Sequence, residues 1–281
     1  MLELLDYPFM RYALAAALVT GVTAPAIGTF LVQRRLALLG DGIGHVALTG
    51  VALGLLTGTA PLLTAVVAAT AGALAIELMR TYARTSGDVA LAMLFYGGIA
   101  GGVLLINLAG DSASTLNSYL FGSIVTVSPS DLTIIAILGG IVLVVVAATT
   151  PQLFAVCQDE EHARVSGVPV RLYGILIAVL AAVTITVAMR TVGLLLVSAL
   201  MVVPVAAAQQ VARSFRGTHL LAIALGLVAA VGGVVTSFEA DTQAGPTIVL
   251  VALGCFAVLA AARGIVALAT RRRRRTRPAS A

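Results

Sequence analysis

The chain has 281 residues, of which 60% are hydrophobic and only 10% charged, with a formal net charge of +5. A soluble domain carries about 25% charged residues, so a water-soluble globule is excluded, as is a disordered chain of high charge and low hydrophobicity. Long apolar stretches without period-2 alternation exclude a transmembrane β-barrel and predict an all-α polytopic membrane protein.

In chain order the uninterrupted apolar stretches give nine candidate spans, at roughly 9–33, 42–58, 61–80, 89–109, 131–150, 170–189, 192–211, 219–238 and 246–268. The second is short and interrupted by glycine, so eight full spans plus a broken one is the alternative. The start, Met1 to Arg11, carries Glu3 and Asp6 in place of a basic n-region and does not read as a cleaved signal peptide. With nine spans, 15 of the 17 arginines fall on one side, including Arg34, Arg35, Arg80, Arg84, Arg164, Arg171, Arg213, Arg216, Arg263, Arg271 to Arg275 and Arg277. Arg11 and Arg190 fall on the other. The positive-inside rule makes the first side cytoplasmic, with the N-terminus outside and the C-terminus inside. The tail 271–281 then reads as a basic cytoplasmic anchor touching anionic lipid, not as a nucleic-acid patch. Glu3, Asp6, Asp111, Asp131, Glu239 and Asp241 map outside. Glu239 and Asp241 are candidates for an acidic outer mouth that concentrates cations, although loops need polar residues in any case. Pairs such as Gly40/Gly44, Gly50/Gly54 and Gly98/Gly102 predict closely packed helices.

All 17 basic residues are arginine. A Walker A loop needs its lysine, and so does Schiff-base catalysis, so this chain hosts neither. Cys157 and Cys255 lie far apart, without metal-ligand spacing. The three histidines, His45, His162 and His219, form no His-Glu-x-x-His pair.

Ionisable residues inside a bilayer are expensive and are functional candidates by default. Asp41 and His45, four apart, share one helix face and together suit a divalent transition metal whose other ligands come from elsewhere. Gly40, Gly42 and Gly44 weaken the helix there and would allow backbone to open to a cavity. The pair equally suits a helix-capping Asp41 beside a satisfied core histidine, and spacing alone leaves this open. Glu77 reads as an i,i+3 partner of Arg80, with a pathway role as the alternative. Tyr96, Asn107, Asn117 and Tyr119 are either oxygen ligands or helix contacts. In the stretch 157–170, Asp159, Glu160 and Glu161 fit a first helical turn. Arg164 fits its last turn and Gly167 its stop, with Pro169 following. A short charged helix between two spans, at about 158–167, suits docking onto a cytosolic partner, or is a solvated loop helix. His162 lies on the same segment, but a metal site with Cys157 does not suit so exposed a stretch.

The run Leu38-Leu-Gly-Asp-Gly-Ile-Gly-His-Val-Ala-Leu-Thr-Gly-Val-Ala-Leu-Gly54 resembles the signature of the zinc/manganese/iron-uptake ABC permease family. So do Tyr119-Leu-Phe-Gly-Ser-Ile124, Asp159-Glu-Glu-His-Ala-Arg-Val-Ser-Gly-Val-Pro169, Val192 to Pro204 and Gly245-Pro-Thr-Ile-Val-Leu250, all in the family's order from about Tyr12 to Val266. The polyarginine tail departs from the pattern, as does His162, where an apolar residue such as Leu is the rule.

The resemblance implies a type II importer bundle, similar to vitamin B12 permeases, with one permease domain over 1–270. It implies a homodimer with two cytosolic ATP-binding subunits and an extracytoplasmic metal-binding protein, in a bacterial inner membrane. Asp41 and His45 match the family's residues on the translocation path. Asp159, Glu160, Glu161, Arg164 and Gly167 match its ATPase-coupling helix. The expected cargo is Zn²⁺ first, with Mn²⁺ or Fe²⁺ also admitted, and no permanently bound cofactor. The competing reading is a secondary transporter driven by protons or sodium, with Asp41, Glu77 and His45 as a relay.

Overall fold

The computed structural model describes residues 6–82, 87–110, 113–123 and 127–275. Among them the regular structure is helical: α1 Pro8–Gln33, α2 Leu39–Thr57, α3 Pro61–Tyr82, α4 Gly87–Leu108, α5 Ala113–Phe121, α6 Pro129–Gln158, α7 Glu160–Val165, α8 Val170–Val192, α9 Leu194–Gln209, α10 Phe215–Glu239 and α11 Ala244–Arg275. Eight of these are long and apolar enough to cross a membrane, and α9 is a shorter apolar helix. Glu3, Arg84, Asp111 and Arg277, which the sequence reading assigns to one side or the other, lie outside the described residues.

The broken span is the seventh stretch and not the second. α2 runs unbroken for 19 residues through Gly40, Gly42 and Gly44, whereas α9 has 16 residues, about 24 Å at 1.5 Å per residue against a hydrocarbon core of about 30 Å. The glycines of α2 do not open its backbone; they admit neighbours. A Cβ on Gly40 would lie 3.1 Å from Ser198 Cβ on α9, and one on Gly50 would lie 2.7 Å from Ala65 Cα on α3. The break falls instead at Gly193, between α8 and α9, with φ +85 and ψ 149, a backbone region that belongs almost entirely to glycine.

The fifth span also departs from expectation, continuing past residue 150 to Gln158 with Pro151 inside it. The hydroxyls of Thr149 and Thr150 donate to the carbonyls of Val145 and Val146 at 2.6 Å, adding bonds in the turn before the proline. α6 opens on a capping box, in which Ser128 and Asp131 each accept from the other's backbone N–H. The α5 helix was not anticipated from the sequence. Its last residue, Phe121, and the following Gly122 pack against the backbone of Gly193.

The bundle is arranged around α1, α2 and α8, the most buried of the long helices, while α11 lies at the periphery. α1 is approached closely at Gly28 by the Met201 carbonyl of α9, and at Gly21 by Gly226 and Ala230 of α10. α6 ends and α8 begins beside α7, where Arg34, just past α1, pairs with Glu160. At the opposite end of these helices Arg190 pairs with Asp131 at 3.0 Å. Arg34 and Arg190, which fall on opposite sides in the sequence reading, thus lie at opposite ends of these helices.

Candidate functional site

Asp41 and His45 sit in the first two turns of α2, as their spacing requires. Asp41 does not cap the helix. The N-cap position is Leu38, with no side-chain cap bond, and the Asp41 carboxylate instead accepts a hydrogen bond from the Ser198 hydroxyl of α9. His45 is 7% exposed, and its Nδ1 is buried without a hydrogen-bond partner. Phe95 of α4 meets the imidazole edge-on, with ring centroids 4.4 Å apart. The satisfied core histidine therefore does not describe His45. A buried, unpaired ring nitrogen is costly, and this one lies on the residue one turn after the Asp41 carboxylate.

The walls are set by small residues. A Cβ on Gly98 would lie 2.7 Å from both the His45 carbonyl carbon and Val46 N, so α4 touches α2 backbone to backbone. The Thr49 hydroxyl donates to the Gly98 carbonyl at 2.8 Å. Beside this contact a cavity of about 250 Å³ is lined by Leu38, Asp41, Leu91, Ala92, Phe95 and Tyr96. Of the four residues considered as oxygen ligands, only Tyr96 reaches this cavity. Asn107 and Asn117 are exposed, while Tyr119 is buried under the Arg190 guanidinium, 4.9 Å from its ring centre. Among the described residues no group of three or more His, Cys, Asp and Glu side chains gathers as a metal cage.

The remaining predicted residues fall elsewhere. Glu77 pairs with Arg80 at 3.1 Å, as its spacing predicts. It also lies against α8, where a Cβ on Gly174 would be 2.5 Å from Glu77 Oε1. Asp131, counted from sequence among the outer acids, is half of the Arg190 ion pair and adds no free charge to a mouth. Glu239 and Asp241 are exposed at the α10–α11 turn. Asp241 borders a second cavity of about 470 Å³ with Phe9, Gly122, Ser237 and Phe238, away from Asp41 and His45.

The segment 159–167 forms the predicted short helix. Asp159 caps it by accepting from His162 N at 2.9 Å, and Glu160 and Glu161 occupy its first turn. Arg164 pairs back to Glu160 at 3.7 Å. Gly167, at φ +83, stops the helix with its N–H donating to the Arg164 carbonyl. Charged side chains line its exposed face, while Ala163 is buried against Val156 and Val170. Sequence reasoning missed two partners here, Arg34 for Glu160 and Ser198 for Asp41. Each lies more than a hundred residues away and carries no local signal.

A family model described as the ABC 3 transport family matches residues 6–263. The chain belongs to that family. Its relatives include the manganese transport system membrane protein MntC of Halalkalibacterium halodurans, 32% identical over 91% of this chain and 88% of that one. The chelated iron transport system membrane protein YfeD of Yersinia pestis is 33% identical over 87% of this chain and 82% of its own. The high-affinity zinc uptake system membrane protein ZnuB of Haemophilus influenzae is 31% identical over 83% and 91%. Among solved structures, PsaBC from Streptococcus pneumoniae in complex with Fab contains a chain that superposes with a TM-score of 0.84. That chain is 31% identical, with 92% of this chain and 95% of that chain covered. A metal-chelate type ABC transporter in an inward-facing conformation shares the fold at TM-score 0.68 and 15% identity, over 89% and 85% of the two chains. The ABC 3 family chain is thus a multi-pass, all-helical membrane permease of the metal-uptake type.

Proposed function

We propose that the chain is the membrane-spanning subunit of an ATP-driven importer for divalent transition metal ions, with Asp41 and His45 as transient ligands on the path. The observation that carries this reading is the buried, unpaired Nδ1 of His45 one helical turn from a carboxylate that borders a cavity. A permease needs moderate affinity, because its ligands must replace the ion's hydration and still release it. Two donors per chain suit that better than a closed four-ligand cage.

Asp41 is only half-buried, and Tyr96 beside it is exposed on a single chain. Left against lipid, a carboxylate there would be expensive, which favours a second copy covering this face and contributing its own donors. Without lysine the chain has no Walker A loop, so hydrolysis belongs to two separate cytosolic ATP-binding subunits. The α7 helix is their docking element, through Asp159, Glu160, Glu161, Arg164 and Gly167. An extracytoplasmic binding protein delivers the ion on the side of Glu239 and Asp241, with the N-terminus outside and the C-terminus in the cytoplasm. Zn²⁺ is the first choice of cargo, supported by the imidazole donor, and relatives named for manganese and chelated iron keep Mn²⁺ and Fe²⁺ beside it.

The experiment is uptake of Zn²⁺ and Mn²⁺ into sealed vesicles holding the permease with and without its ATP-binding subunits. Uptake that requires those subunits and ATP supports the reading. Uptake driven by a pH or sodium gradient alone supports the secondary-transporter reading and overturns it.

A further inference from the structure

Ser198 lies in the first half of α9, partly buried, and its hydroxyl does not bond back along its own helix as most buried threonines of the bundle do. In a membrane helix a Ser or Thr hydroxyl ordinarily bonds back to the carbonyl four residues earlier. Thr20, Thr29, Thr184 and Thr186 do this, donating to Ala16, Pro25, Leu180 and Ala182. Ser198 instead donates across the helix interface to Asp41 Oδ1, and among the described residues it is the only hydrogen-bond partner of that carboxylate. The approach is prepared on both sides. Gly40 faces Ser198 and Gly44 faces Leu194, the first residue of α9. α9 in turn begins at Gly193, whose positive φ breaks it from α8 and sets its direction.

We infer that Ser198 is a positioning residue for the metal path: its hydroxyl fixes the Asp41 carboxylate through Oδ1 and leaves Oδ2 for the ion. The inference rests on the reading of Asp41 as an ion ligand. A carboxylate held in one orientation loses less freedom on binding, and outer partners that hold metal-ligating groups are worth about 10- to 100-fold in affinity or activity. Because Ser198 rides on a helix set off by a glycine break, a shift of α9 relative to α2 would release the carboxylate. The hydrogen bond thereby ties ligand geometry to bundle conformation.

The test measures equilibrium binding of Zn²⁺ and of Mn²⁺ to the purified permease–ATPase complex, without the binding protein, for wild type, Ser198→Ala, Ser198→Thr and Asp41→Ala. Thermal stability is measured alongside. Ser198→Ala is expected to weaken binding of both ions about tenfold or more at little cost in melting temperature, and Ser198→Thr, which keeps the hydroxyl, to restore it. Asp41→Ala abolishes binding. If Asp41→Ala abolishes binding while Ser198→Ala leaves the dissociation constants unchanged, or lowers only stability, the positioning role is overturned and the metal path stands. If Asp41→Ala leaves binding intact, the metal-path reading itself falls.

Discussion

Arg34, just past the end of α1, reaches Glu160 of α7 at 3.6 Å, with the arginine side chain 9% exposed and the glutamate 50% exposed. The turn after Arg34 leads directly into α2 and Asp41, so this ion pair joins the proposed ATPase-docking helix to the helix that carries the site. Glu160→Gln is expected to change stability by less than about 1 kcal/mol, since the Glu160 carboxylate is half exposed and a solvent-screened ion pair contributes little. The ions imported per ATP hydrolysed are expected to fall several-fold. The Arg34→Glu, Glu160→Arg double variant should recover part of the loss. An unchanged ratio in Glu160→Gln would remove the pair from coupling.

Gly98 and Gly97 are neighbours in α4 with opposite surroundings. A Cβ at 98 meets the His45 and Val46 backbone at 2.7 Å, whereas a Cβ at 97 meets nothing within 4 Å. Gly98→Ala must push α4 from α2, at a cost of about 1–3 kcal/mol, and displaces the wall beside His45. Gly97→Ala is expected to be neutral in thermal unfolding and in uptake. Equal melting temperatures for the two variants would contradict the close approach.

Gly193 holds φ +85 and ψ 149 between α8 and α9, pressed against the backbone of Phe121 and Gly122. Alanine there faces both backbone strain of about 1–3 kcal/mol and a collision. Gly193→Ala should lower the melting temperature and reduce uptake, while Gly264→Ala, in open space on α11, should do neither.

Asp131 serves two roles, as capping-box partner of Ser128 and as ion-pair partner of Arg190. Asp131→Asn keeps the shape and removes the charge, and is expected to cost about 1–2 kcal/mol from cap and pair together. Arg190→Lys keeps the charge but loses the planar guanidinium over Tyr119, and a smaller cost is expected. Melting curves in detergent read both, and a larger loss for Arg190→Lys would reverse the assignment.

Much of this architecture was legible in the sequence because a bilayer imposes length and apolarity on each span. The short α7 was legible too, because Asp159, Gly167 and Pro169 are local start and stop signals. The fifth stretch was drawn only to residue 150, whereas α6 runs on through Pro151 to Gln158, since a proline is tolerated in a long membrane helix whose neighbours resupply bonds. The α2 glycines supported two readings: the spacing-four pairs predicted the close packing that is present at Gly40 and Gly50, whereas the opening of the backbone also considered for Gly40, Gly42 and Gly44 does not occur. α5 was missed because nine residues that include polar Asn117 and Ser118 carry neither length nor apolarity. Asp41 and His45 were visible as a pair, but Ser198 and Phe95, which set their geometry, come from other helices and leave no mark at helical spacing.

The most direct test replaces Asp41 by Asn and His45 by Ala, singly, in the assembled importer and follows ATP-dependent uptake of Zn²⁺ and Mn²⁺. Uptake of the transported ion is expected to be lost in both variants while the complex assembles and still hydrolyses ATP. Wild-type rates of uptake in both variants would contradict this expectation.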